Sequence, residues 1–310
     1  MLTSLASGFW RNCSLKRAIS GRIMARAVFV SVFTSLFSAG CSTLDFAYSM
    51  GPTALTLMAD NYLDLDGDQE TLLKERLLAV RESVRMNQLA EVGKLFAEVR
   101  TRVDRKVTSD DVVWLTAEGR RHWKVLGTRV AGDIAELAPR LQADNIAALK
   151  KKLARNNTEY TKETIEATPE KQREKRFERV KENFERWYGN FDDAQIERMK
   201  TLSDALPMNP RLVLDDRVRR QNALVALLSS VIDKSLARPE AEARLATLLT
   251  ELEQGRSAEY QAYAASYLTR SQVMTVEIAN LATPEQRATA QRRFKRWADD
   301  MAALAARKEP

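Results

Sequence analysis

Apolar residues recur by threes and fours along most of this chain, and no run alternates with the period of two that marks a half-buried strand. From Asp68 to about Arg105, Leu73, Leu77, Val80 and Val84 and then Leu89, Val92, Phe96, Val99 and Val103 form one such series, with a single step of five between Val84 and Leu89. At 3.6 residues per turn this spacing gathers the apolar side chains on one side of a helix, and that stripe needs neighbours to cover it. Read as one helix, 68–105 is a rod about 57 Å long. Similar stretches cover about 110–137, 140–166, 169–188, 192–204, 211–236, 240–281 and 284–307, punctuated by Pro139, Pro169, Gly189, Pro207, Pro210, Pro239 and Pro284. The pattern predicts an all-α fold of long antiparallel helices packed as an elongated bundle. At 310 residues, 45% apolar, the chain can bury one substantial core or two small ones.

Local signals say where helices begin. Asp66-Gly67-Asp68-Gln69, Asp192-Asp193-Ala194-Gln195 and Thr283-Pro284-Glu285-Gln286 each place an acid or Thr three positions before Gln. This is a capping box: the first side chain accepts an amide hydrogen bond of the opening turn, and Gln reaches back to the cap's own N–H. On that reading Glu would serve as well as Gln. Pro169 and Pro284 fit the first helical position. In 169–188 the stripe Phe177, Val180, Phe184 and Trp187 is flanked by the ladders Lys171, Lys175, Arg179 and Glu174, Glu178, Glu182, the pattern of a solvated helix. Phe184-Glu185-Arg186-Trp187 and Phe294-Lys295-Arg296-Trp297 repeat one pattern after Thr-Pro-Glu openings, a hint of internal duplication.

The N-terminus has a different character. Residues 1–40 hold five bases (Arg11, Lys16, Arg17, Arg22, Arg26) and no acid, and 27–40 form an uncharged, mostly apolar run that ends at Cys41. Fourteen residues are too few for a bilayer-crossing helix, which needs about 20, and they suit the apolar region of a signal peptide at 1–40. Met24-Ala25-Arg26 also reads as a signal start, which would confine the leader to 24–40. Removing the five leader bases from the chain's 49 leaves 44 against 42 acids. So nearly neutral a body gives no bulk electrostatic case for nucleic acid. Cys13 lies in the leader and Cys41 is the only other cysteine, so the mature chain has no disulfide to form.

Ser38-Ala39-Gly40-Cys41 resembles the lipobox of bacterial lipoproteins, with Ser38 where Leu is commonest. The resemblance implies cleavage before Cys41, a diacylglyceryl group on its sulfur and an acylated new amino terminus. Ser42 in place of Asp then implies outer-membrane sorting. Residues 41–55 are expected as lipidated N-terminus and tether, and 56–310 as an all-helical periplasmic domain. Cys41-Ser42 followed by Asp60-Asn61-Tyr62-Leu63-Asp64-Leu65 and Gln69 resembles the uncharacterised bacterial lipoproteins of the DUF 6279 family, which implies a similarity over the mature part. Where that family tends to have Trp-His-Arg in the next helix, this chain has Ser83-Val84-Arg85. The three boxes alone also resemble periplasmic stress chaperones with Leu-Thr-x-x-Gln repeats.

Side-chain chemistry is sparse. His122 is the only histidine, so no multi-histidine or cysteine metal site can exist in the mature chain. Asp64, Asp66, Asp68 and Glu75 have calcium-loop spacing, but Gln69 replaces the required turn glycine, and capping is the better reading. The sequence has no nucleophile elbow and no phosphate loop, and no carboxylate pair stands out. The expectation is a non-enzymatic binding or structural module without cofactor or metal. The alternatives are a periplasmic chaperone or envelope-stress protein and, third, a peptidoglycan-directed enzyme. Tyr260, Tyr263 and Tyr267 form a helical stripe that would suit an interaction face, although its continuation through Met274, Ile278 and Leu281 equally suits core. Lys150-Lys151-Lys152 and the segment Arg120 to Lys124 are candidate contacts for anionic lipid or peptidoglycan.

Overall fold

The computed structural model describes residues 43–251 and 254–307. The expected leader, 1–40, and Cys41 lie outside the described residues. Within them every regular element is helical and no strand occurs, in agreement with the all-α bundle read from periodicity. The α-helices are α1 (Thr43–Leu63), α2 (Gly67–Asn87), α3 (Leu89–Asp104), α4 (Ser109–Leu137), α5 (Ala143–Tyr160), α6 (Pro169–Tyr188), α7 (Asp193–Asp204), α8 (Pro210–Ile232), α9 (Arg238–Thr250), α10 (Ala258–Leu281) and α11 (Pro284–Ala305). A 3-10 turn, Ala138–Arg140, precedes α5 and a π turn, Thr161–Ile165, follows it. Gln172, from the first turns of α6, holds that π turn by donating to the Thr164 and Ala167 carbonyls at 2.8 and 3.0 Å.

Two boundaries differ from the periodicity reading. The single rod expected over 68–105 is two helices that part at Gln88 (φ −128°, ψ −36°), immediately before Leu89. The step of five is the cause: at about 100° per residue it turns the second stripe by about 110° from the first, so one straight helix cannot present both to the same neighbours. The stretch 240–281 also divides. Gly255 adopts φ 70°, in the left-handed region, and the Ser257 side chain accepts from the Tyr260 N–H to begin α10 anew. Helix α1 runs from Thr43 to Leu63.

Packing explains the long helices. α3 lies along α11, and α4 along α9. The largest core joins Leu95, Val99 and Val103 of α3 to Phe177 of α6, Met199 of α7, Met274 and Ile278 of α10, and Ala290 and Phe294 of α11. Its aromatic centre stacks Trp187 on Phe294 at 4.3 Å, with Phe96 5.6 Å from Trp297. The aromatic pairs that repeat in the sequence therefore meet in one cluster, with ring contacts that add to their area burial. A second core joins Ile146 and Leu149 of α5 to Leu228 and Val231 of α8 and Ala241 of α9. Leu245 of α9, fully buried, packs with Ala131 and Ala135 of α4 and Leu227 of α8.

Candidate functional site

All three boxes read from the sequence form, with cap and third-position side chains bonding each other's N–H groups. They also do something that periodicity does not show: their amides pair across the bundle. Gln195 Nε2 donates to Gln286 Oε1 at 2.9 Å, and Gln286 Nε2 donates to Gln195 Oε1 at 3.0 Å. Each also donates to the backbone carbonyl two residues before the other's cap, Gln195 to Leu281 and Gln286 to Asn190, both at 2.7 Å. Gln69 pairs in the same way with Asn145, whose Oδ1 accepts from the Gln142 N–H at 2.7 Å. Gln69 Nε2 reaches the Arg140 carbonyl at 2.8 Å, and Asn145 Nδ2 the Asp64 carbonyl at 2.9 Å. The two-residue offset is thus common to all four. Asp64 has φ 51°, a left-handed conformation that Asp tolerates, and this turns its carbonyl toward Asn145. Asp66 Oδ1 is engaged by the Asp68 and Gln69 N–H groups, which makes it a cap. Each pair locks two helical hairpins together at their turns: α1/α2 with α4/α5, and α6/α7 with α10/α11.

The tyrosine stripe is half-buried. Tyr267 packs against the main core, and Tyr263 lies 5.9 Å from Tyr260 and 6.2 Å from Tyr267. Arg256 stacks over Tyr260 and Arg217 over Tyr160, both at 4.9 Å. Burial pushes the Tyr160 and Tyr263 phenols above the usual tyrosine range. Beneath them Asp216, its side chain 2% exposed, accepts from Arg219 and Arg220 and has Arg256 at 3.8 Å. The stripe thus belongs to an aromatic and guanidinium cluster that ties the end of α5 and the helices α8 and α10 together.

The other buried charges are also tied. Asp111, three residues after the α4 cap Thr108, receives Arg102 at 2.8 Å and Arg105 at 2.7 Å, and these guanidiniums with the Thr108 bonds hold its carboxyl far below the usual range. Arg176, in the helix read as a solvated ladder, is buried and donates to Ser203, the Leu206 carbonyl and Asp204. Burial, then the Arg121 charge, pushes His122 below the usual imidazole range. Lys152 donates to Asn61 at 2.9 Å. Among the described residues no three His, Cys, Asp or Glu side chains are placed to hold a metal ion, and no helix is long and apolar enough to cross a membrane.

These features define an all-helical bundle whose hairpin turns are joined by paired box amides and whose interior charges hold helices together. A family profile described as a family of unknown function (DUF6279) matches residues 61–261, about two thirds of the chain, and the protein belongs to that family. The match agrees with the resemblance carried by Asn61 to Gln69, and it begins inside α1 and ends early in α10. No curated protein and no solved structure matches the chain.

Proposed function

We propose that this protein is a lipoprotein held at the bacterial outer membrane by acyl chains on Cys41, with the helical body facing the periplasm and acting by binding or scaffolding. The observation that carries the reading is the uncharged 27–40 run, preceded by five bases and ending in Gly40-Cys41, with no other cysteine in residues 42–310. An unpaired thiol in an oxidising compartment is a liability unless capped, and acylation caps it. Three acyl chains bury far more methylene than one, at about 0.8 kcal/mol per CH₂, so the anchor would be effectively permanent. The buried carboxylates Asp111 and Asp216 support a structural body, because Asp111 pairs with Arg102 and Arg105 from the preceding helix and its end, and Asp216, paired within α8, also faces Arg256 from the segment before α10.

Metabolic palmitate labelling with membrane fractionation tests this directly. Cys41→Ser is expected to abolish incorporation of label and to release the body from membranes. Label retained in that variant would end the lipoprotein reading.

A further inference from the structure

The helix that follows Cys41 has two unlike faces. On the inner one, Asp45 pairs with Arg307, Tyr48 lies under the Arg81 guanidinium at 5.2 Å, Pro52 and Thr56 are buried, and Leu63 packs on the second core. These positions follow steps of three, four, four and seven, the side of α1 turned toward α2, α5 and α11. The opposite face follows Phe46, Met50 and Leu57, which are 67%, 44% and 61% exposed, with exposed Ser49 and Thr53 among them. Steps of four and seven keep the three large side chains within about 40° of one another, over about 17 Å of helix.

Composition separates this face from the rest of the surface. Residues 46–59 contain no Asp, Glu, Lys, Arg or His, where a chain with 29% charged residues would place about four. Exposed apolar side chains elsewhere, such as Val113, Val125 and Val273, stand on helices interspersed with charges. At its far end the uncharged stretch gives way to Asp60 and then Asn61, which accepts from Lys152.

We propose that the outer face of α1 docks on the lipid surface, lying in the headgroup and upper acyl region with Phe46, Met50 and Leu57 inserted. The proposal rests on the lipoprotein reading, because acylated Cys41 brings the bilayer to this face: it stands two residues before Thr43, a span of no more than about 7 Å. The helix lies on the bilayer instead of crossing it, since no described helix is long and apolar enough to span one. A lipid surface fits better than a second copy of the chain, because the anchor places lipid at the face permanently and a protein would have to displace it. The consequence is orientation. Docked along α1, with the Asp45–Arg307 pair tying the end of the chain to the same helix, the body is held in one attitude to the membrane and does not swing on a tether.

The test uses the full chain, produced in bacteria, purified and returned to vesicles of phosphatidylethanolamine and phosphatidylglycerol. A benzophenone amino acid replaces Thr53 on the outer face of α1 or, as control, exposed Thr101 of α3. After illumination, mass spectrometry is expected to find phospholipid adducts at 53 at least several-fold above those at 101. Adding Phe46→Asp and Leu57→Asp should lower the adduct at 53 several-fold while the acylated protein stays with the vesicles and keeps its helical circular dichroism. Equal lipid labelling at the two positions, or a protein–protein adduct at 53, would overturn the proposal. The mass of the Cys41 peptide from the same sample reports acylation separately. Acylated Cys41 without lipid adducts at 53 rejects the docking face alone; lipid adducts at 53 with unmodified Cys41 reject the anchor alone.

Discussion

Replacing Gln195 by Glu separates a cap from a tertiary lock. A box that only closes its own helix accepts Glu at this position as readily as Gln. The pairing of Gln195 with Gln286 does not, because Gln195 Nε2 is a donor to two acceptors, Gln286 Oε1 at 2.9 Å and the Leu281 carbonyl at 2.7 Å, and Gln195 is 8% exposed. A carboxylate oxygen there turns both contacts into acceptor against acceptor. Losing two hydrogen bonds at about 1 kcal/mol net each, with a buried acceptor left unpaired at about 1 kcal/mol or more, gives about 3 kcal/mol of destabilisation at pH 7. At about 2 °C per kcal/mol for a chain of this size the melting temperature should fall by about 6 °C, against about 1 kcal/mol for Thr283→Ala, which removes a cap alone. The new carboxyl would have its folded pKa raised by burial among acceptors, so it favours folding below the unfolded value of about 4.3 and loses that contribution as pH rises through the folded value. Melts followed by circular dichroism at pH 7 and pH 4 should therefore show the gap to the parent protein closing in acid. In a double-alanine cycle, Gln195 and Gln286 should couple by about 1 kcal/mol, whereas Gln69 and Gln195, in different pairs, should add within about 0.5 kcal/mol. A Gln195→Glu protein that melts with the parent at pH 7 would refute the lock.

Asp111→Asn should cost about 1–3 kcal/mol at neutral pH, a figure kept low because Arg105 is half-exposed and screened. Since the folded pKa of Asp111 is depressed, its contribution is fully present above the unfolded value near 4 and is lost as pH falls from there through the folded value, so the gap between parent and variant melts should begin to narrow between about pH 4 and pH 3 without closing. A Cβ at Gly67 meets nothing within 4 Å, and Gly67→Ala in the first turn of α2 should stabilise by about 0.4–1 kcal/mol. A Cβ at Gly127 lies 2.9 Å from Thr250 Cγ2, where α4 passes α9, and Gly127→Ala should destabilise by about 1–3 kcal/mol; denaturant titration of the pair should give opposite signs.

Where the sequence carried a local cause, it could be read. Asp66, Asp192 and Thr283 open helices because their side chains satisfy N–H groups within four residues; the step of five at Leu89 is also local, but reading 68–105 as one rod passes over it. What stayed hidden depends on distant chain. Gln142 and Asn145 lack the usual cap signature, so nothing local marked Asn145 as the partner of Gln69. Arg176 lies among alternating charges that read as solvated, and only the fold brings Ser203, Asp204 and Leu206 over it. The tyrosine stripe has one spacing for a free face and for a packed one; Tyr160 of α5, under Arg217 of α8, comes from distant chain to lie beside it.

The repeat in this chain is one of geometry more than of residues. Thr168-Pro169-Glu170 and Thr283-Pro284-Glu285 suggest copies that begin at α6 and α11, yet Thr168 caps α6 without a box and α6 packs against α11 within one four-helix group. The correspondence that the hydrogen bonds support runs from α1, α2, α4 and α5 to α6, α7, α10 and α11. In the first group α1 packs on α5 and α2 on α4; in the second α6 packs on α11 and α7 on α10. Both groups place the amide partner on the carbonyl two residues before the opposite cap, although one uses Gln with Asn and the other Gln with Gln. Such an arrangement requires a donor at the third helical position and a turn whose carbonyl it can reach, and makes no demand on the length or sequence of the intervening helices. The remaining helices tie the two groups together: α3 stands between the hairpins of the first group in chain order yet lies along α11 of the second, and α8 and α9 stand between those of the second yet pack on α5 and α4 of the first.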